Sequence, residues 1–319
     1  MLKLILCFVI SLALVFVLMP GFINYLKKIS FNQTVSEYSL KEYQEKASTP
    51  IMGGVLFIIV PVLVTLAAGG REALQMDTLV ILLTFVGYGL IGFTDDFLIA
   101  VKKNNDGLSP RMKFFLQVVL AAVFYLMYHS QASLDVAIPF TSVSLHFGMF
   151  YSILVLLMFS GASNAVNLTD GMDGLAAGCT LISLAPFLYF AVRQGKMSVA
   201  IFIASLMGAL CGYLKYNVKP ARIFMGDTGS LSLGAALAAI AMILKMELAL
   251  VIIGGVFVIE TLCVMIQIGS VKIRHKRVFP YTPIHYAFVM KGMGENEVVH
   301  RFWLCAAVFA LLGFLIGMH

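Results

Sequence analysis

The chain carries ten apolar runs of roughly bilayer-spanning length, near residues 2 to 23, 53 to 68, 78 to 93, 114 to 128, 149 to 165, 175 to 192, 199 to 214, 231 to 244, 249 to 268 and 302 to 318. In lipid, where no water can pair with exposed backbone, a run of about 20 apolar residues has one stable fate, a helix that bonds its own N–H and C=O groups. The sequence therefore predicts an all-α integral membrane protein of about ten transmembrane helices, a single polytopic domain over 1–319. A charged fraction of only 12% excludes an ordinary soluble domain. The first run is longer than a signal-peptide core and lacks a small-residue cleavage site, so it is expected to stay as an anchor.

Lys and Arg set the expected orientation, because cytoplasmic loops retain them. The loops 24 to 52, 94 to 113, 166 to 174, 215 to 230 and 269 to 301 hold 17 of the 22. Taking these as cytoplasmic places both termini outside and gives the inner face most of the formal charge of +6. Such a face suits anionic membrane lipid and phosphorylated substrates; no nucleic-acid partner is expected. The five cysteines lie in or beside apolar runs without a C-x-x-C pair, and read as packing residues.

The polar residues are concentrated on that same side. Asn164, Asn167, Asp170 and Asp173 recur at intervals of three, which on a helical or turn-like backbone brings two amides and two carboxylates towards one face. A metal, sugar or base is one use of such a face; a polar hairpin with a helix cap is the other. The third run ends Gly92-Phe-Thr-Asp95-Asp96, and adjacent carboxylates at a membrane rim repel one another, so stability alone gives no reason to place both there. They suit a divalent cation or, with one raised in pKa, a proton acceptor. Lys102, Lys103, Arg111 and Lys113 follow as a basic stretch able to neutralise phosphate.

Phe224-Met-Gly-Asp227-Thr-Gly-Ser opens the eighth run, where it reads either as a helix cap or as a phosphate or metal cradle at a helix N-terminus. Phe224 beside it offers a ring for stacking a base. Glu260 is the only acid within an expected span; a histidine or Gln267 is its expected partner, and a structural hydrogen-bonding role its expected use. Lys46, ahead of Pro50 and the paired Gly53 and Gly54, and His285, after Pro283, are loop residues placed to meet phosphate. Residues 129 to 148 alternate polar and apolar around Pro139 and predict a short hairpin.

Taken together, Lys46-Ala-Ser-Thr-Pro-Ile-Met-Gly-Gly, Gly92-Phe-Thr-Asp-Asp, Asn164-Ala-Val-Asn-Leu-Thr-Asp-Gly-Met-Asp-Gly-Leu, Phe224-Met-Gly-Asp-Thr-Gly-Ser-Leu, Glu260-Thr-Leu and Thr282-Pro-Ile-His resemble, in order, the phospho-N-acetylmuramoyl-pentapeptide transferase family of the polyprenyl-phosphate N-acetylhexosamine-1-phosphate transferases. The resemblance implies a ten-helix enzyme of the bacterial inner membrane, usually a homodimer. Its implied reaction moves phospho-MurNAc-pentapeptide from UDP-MurNAc-pentapeptide to undecaprenyl phosphate, giving lipid I and UMP with Mg2+.

It further implies Asp95, Asp96 and Asp227 as acidic catalytic and magnesium positions, with Asp227 the most direct ligand. Asn164, Asn167, Asp170, Asp173 and Asn217 would line the nucleotide pocket, with Phe224 on uracil and Lys46 and His285 at phosphate or sugar. Two positions depart from the family pattern. Asp-Asp-x-x-Lys ends here in Ile99, which passes phosphate contact to Lys102, Lys103 or Arg111, and three consecutive histidines are reduced to His285 followed by Tyr286 and Ala287. The competing functions are transfer of GlcNAc-1-phosphate to the same lipid, and secondary transport, which would want coupling acids near the midplane and an internal repeat.

Overall fold

A computed structural model describes residues 1–29, 49–102, 106–130, 133–138, 141 and 143–318. Lys46 and Lys103 lie outside the described residues. Ten helices are long and apolar enough to cross a membrane among those described, as the run lengths predict. They include α1 (Leu2–Lys28), α2 (Gly54–Gly69, continued by a 3-10 turn to Leu74), α3 (Met76–Lys102), α4 (Pro110–Tyr128), α5 (Tyr151–Thr169), α6 (Leu175–Arg193), α7 (Met197–Asn217) and α8 (Gly226–Ile243). A short α9 (Glu247–Ile253) leads into α10 (Gly255–Arg274), and a second short helix, α11 (Ile284–Met290), precedes α12 (Glu295–Gly317). The expected hairpin forms as β1 (Asp135–Ala137) antiparallel to β2 (Ser144–His146), with Val136 opposite Leu145.

Helix α8 is the centre of the bundle: every residue from Thr228 to Ile243 is buried. Lipid tails are as apolar as leucine, so helices in a bilayer gain by close backbone packing, and small residues permit it. The Gly-Ala-Ala-Leu-Ala-Ala run of α8 lets α3 and α5 approach from two sides. A Cβ on Gly234 would lie 2.3 Å from the Ala162 carbonyl oxygen. Between α1 and α7 the same device recurs one turn apart, where a Cβ on Gly208 would fall 2.1 Å from the Phe8 carbonyl oxygen.

Three expected boundaries are corrected. The run ending at 93 continues as helix to Lys102, so Asp95 and Asp96 are helical residues and not loop residues. The run expected from 231 begins at Gly226, which brings Asp227 into the first turn of α8. The run 249 to 268 is two helices parted at Gly254, the C-cap of α9 and N-cap of α10. In the first two cases polar side chains continue the helix because a neighbouring helix end answers them, as described below.

Candidate active site

The last two turns of α3, the first turns of α8 and α4, and the end of α5 meet at one end of the bundle. Gly92 makes the meeting possible, since a Cβ there would lie 2.1 Å from the Asp227 carbonyl oxygen. With the backbones this close, the buried Asp96 reaches the open N-terminus of α8. Its Oδ1 accepts the Asp227 N–H at 3.1 Å, and its Oδ2 accepts the Thr228 N–H at 3.0 Å and the Thr228 hydroxyl at 2.6 Å. Both oxygens thus serve as a helix cap supplied from another helix, where a carboxylate also meets the positive end of the helix dipole.

Its neighbour Asp95 turns the other way. The Asp95 Oδ1 accepts the Leu108 N–H at 2.7 Å, and its Oδ2 lies 3.6 Å from the Lys113 Nζ. Lys113 also pairs with Asp227, and Asp227 Oδ1 accepts the Asn167 amide at 2.6 Å. The same amide donates to the Ser230 hydroxyl at 2.9 Å. Asn164, one turn earlier, is exposed and donates to the Gln117 side-chain oxygen at 3.1 Å and the Ser160 carbonyl at 2.7 Å. Arg111 is exposed on the first turn of α4, and Lys102 donates to the Asp106 carbonyl at 3.1 Å.

The electrostatic balance of this cluster is lopsided. Three carboxyl groups gather round one ammonium, and Asp96 is the one that meets the positive end of the α8 dipole. Asp95 and Asp227, on different helices, converge on the same cation. Among the described residues no group of three or more His, Cys, Asp or Glu side chains is arranged to hold a metal by itself.

A second group clamps the turn between α5 and α6. Gly174, at φ +79°, starts α6 in a left-handed conformation that favours glycine. Its N–H donates to the Asn217 Oδ1 at 3.0 Å, while the Asn217 amide donates to the Ile223 carbonyl at 3.0 Å. Asp173 is buried, accepting the Ala221 N–H at 2.9 Å, and its own N–H reaches Glu295 at 3.1 Å. Asp170 caps the end of α5 and is half-buried. Phe224 is half-buried, with its backbone bridged to Pro50 and Gly53 at 2.9 Å and 2.8 Å.

The expected histidine partner of Glu260 is found. Glu260 is fully buried in α10, and its Oε1 lies 3.0 Å from the Nδ1 of an equally buried His285. Gln267 instead binds the backbone of Val278 and Phe279. Tyr286 donates its hydroxyl to the Gly171 carbonyl at 2.9 Å; burial pushes that phenol well above its usual range, so it stays a donor at any physiological pH.

The geometry therefore gathers Asp95, Asp96, Asp227 and Asn167, and sets Asp173 and Asn217 in the scaffold of the turn. Lys113 emerges as the central cation, which the sequence shows only as one member of a basic stretch. Removing the Asn217 amide in Asn217→Ala leaves a buried donor and acceptor unmet, a cost of about 1–3 kcal/mol, to be read as a lower melting temperature in detergent. Weakened nucleotide binding with unchanged melting would instead make Asn217 a ligand contact.

Comparison with known proteins gives a consistent result. The family described as Glycosyl transferase family 4 matches residues 78–245. Curated relatives named phospho-N-acetylmuramoyl-pentapeptide-transferase include one from a Geobacillus species, 44% identical over 98% of this chain and 97% of its own. Another, from Shouchella clausii, is 43% identical over 97% of this chain and 96% of its own. A third, from Bacillus subtilis, is 44% identical over 94% and 93%.

Proposed function

Since the chain belongs to the phospho-N-acetylmuramoyl-pentapeptide transferases of glycosyl transferase family 4, we propose that it joins UDP-MurNAc-pentapeptide and undecaprenyl phosphate at the Asp95–Asp227–Lys113 cluster, giving lipid I and UMP. It is a multi-pass membrane transferase. Within that frame our reading places the site on the cytoplasmic face of the bacterial inner membrane, both termini outside, and the working unit as a homodimer.

The observation that carries the site assignment is the convergence of Asp95 and Asp227 on one cation, beside the Asp96 carboxyl that caps α8. The reaction brings two anions together, so neutralising and positioning them dominates the barrier. A lipid phosphate, with a second pKa of about 6, is already largely a dianion and barely needs a base. One of its oxygens attacks the sugar-linked phosphorus of the donor, the bond from that phosphorus to the UMP oxygen breaks, and UMP leaves with the electron pair. Asp96 is held by three donors at the α8 terminus and is poorly placed to act as a nucleophile, which favours direct displacement. Asn167 orients the Asp227 carboxylate, and Lys113, with Arg111 nearby on α4, balances phosphate charge where Ile99 cannot.

Mg2+ suits this donor set. Its ligand oxygens would be those of Asp227 and Asp95, where the Lys113 ammonium marks a position that both carboxylates reach; the remainder would come from water and phosphate, as is usual for this ion. Bound there, the ion would withdraw charge from the pyrophosphate and the departing UMP. An apolar cavity of about 320 Å³ between α5, α8, α9 and α10, lined by Leu154, Met158, Ala162, Leu237 and Phe257, has room for only the first isoprene units of the acceptor's tail. Ala165 and Val166 extend that lining to the residue before Asn167.

Purified protein given both substrates should release UMP, and removing divalent metal with EDTA should suppress release at least about a hundredfold, with recovery on adding magnesium. Release from UDP-GlcNAc but not from the muramoyl donor would move the enzyme to the sister reaction. Turnover indifferent to EDTA would remove magnesium from the scheme.

A further inference from the structure

Glu260 lies on a membrane-spanning helix, yet both of its oxygens point to a loop. Oε2 accepts the Ile284 N–H at 2.8 Å, and Oε1 faces His285 Nδ1 at 3.0 Å. Neither side chain has any exposure to solvent. A carboxylate only accepts hydrogen bonds, so a Glu260 carboxylate pairs with the ring only through a proton on Nδ1. The other ring nitrogen, Nε2, is buried without a hydrogen-bond partner among the described residues, and leaving such a group unmet costs about 1–3 kcal/mol. It points at the polar turn between α5 and α6: a Cβ added to Gly171 would come within 2.3 Å of it. Tyr286, its ring tilted 53° against that of His285 at 4.2 Å between centroids, fixes the same turn through the Gly171 carbonyl.

We infer that Glu260 is a positioning residue of the transfer reaction, holding His285 with Nδ1 protonated and Nε2 directed to the Asp170–Asp173 turn as the contact for the donor sugar nucleotide. The inference rests on His285 being a substrate contact. Ring orientation by a carboxylate on the far nitrogen fixes which nitrogen is offered to a ligand. Nε2 then accepts from a sugar hydroxyl when the ring is neutral and donates to a phosphate oxygen when the ring is charged. The carboxylate also secures the first turn of α11 through Ile284, so ring and backbone move as one unit. A buried acid serving only as helix packing would not need to face a histidine whose outer nitrogen is left without a hydrogen-bond partner.

The test uses the full-length protein in lipid nanodiscs, with Glu260→Gln, His285→Ala and the double variant assayed for UMP release. Glu260→Gln should lower kcat/KM by at least about tenfold, as loss of an orienting partner does, with no further loss when added to His285→Ala. Independent, multiplying losses would make Glu260 merely structural and overturn the inference. Full activity in Glu260→Gln with loss in His285→Ala would also overturn it, leaving the His285 assignment standing. Full activity in His285→Ala would remove the assignment on which it rests. Nitrogen-15 spectra of histidine-labelled unmutated protein provide a second measurement independent of variant folding: Nδ1 of His285 should bear a proton, and a ring protonated at Nε2 alone would overturn the proposal.

Discussion

Asp227→Asn should reduce the rate of UMP release by about a hundredfold to a thousandfold, the range expected when a group that balances charge in the transition state is lost. The loss should fall on kcat more than on KM, because the cation that Asp227 would hold counts most as negative charge shifts to the departing UMP. Asparagine keeps an oxygen for the Asn167 amide, which now donates to Oδ1 at 2.6 Å. It lacks the charge that pairs with Lys113, and its amide would turn a donor towards an ammonium. The cap on α8 uses the Asp227 backbone N–H and not its side chain, so melting temperature should change little. Activity within threefold of the unmutated protein would take Asp227 out of the chemistry.

Gly92→Val should abolish transfer by a different route. Its first added carbon would lie 2.1 Å from the Asp227 carbonyl oxygen and 2.4 Å from the Thr228 nitrogen. Both are backbone atoms of a fully packed helix, so no side chain can yield. Overpacking of this kind costs about 1–3 kcal/mol or more, and whatever relaxation occurs must displace the turn that carries Asp227. Gly21→Ala is the control, since nothing lies within 4 Å of a Cβ there. Thermal unfolding in detergent and UMP release should both fall in the first variant and hold in the second. Normal activity in Gly92→Val would show that α3 and α8 do not need this approach.

The architecture was largely legible from the lengths of the apolar runs, because lipid leaves a chain few alternatives. The ends of helices were not. Asp95 and Asp96 read as a loop because two acids ordinarily end an apolar span, yet the N-terminus of α8 meets one and Leu108 and Lys113 meet the other. The break at Gly254 was hidden for a related reason: hydropathy is continuous across it, and only the backbone parts there.

The site was legible as a list of residue types but not as a division of labour. Asp96 and Asp95 are adjacent in sequence, and nothing in that adjacency says that one caps a helix while the other shares a cation. Asn217 and Asp173 look like ligand groups in a polar stretch; their partners, the Gly174, Ile223 and Ala221 backbone, are apparent only in three dimensions. Lys113 was obscured by the positive-inside pattern, in which most lysines only mark orientation. Glu260 was the clearest case, since one carboxylate in an apolar span demands a partner wherever that partner lies in sequence.

The cap that Asp96 places on α8 joins residues 131 and 132 positions apart. During synthesis the acidic pair therefore enters the membrane long before the helix it serves has left the ribosome. An N-terminal fragment ending before α8 holds Asp95, Asp96 and Lys113 without Asp227, and so lacks one of the two carboxylates that meet at the cation. If Asp227 acts as proposed, catalytic competence waits for insertion of the eighth long helix, and a chain stalled earlier should be inert towards the nucleotide sugar and not a wasteful hydrolase.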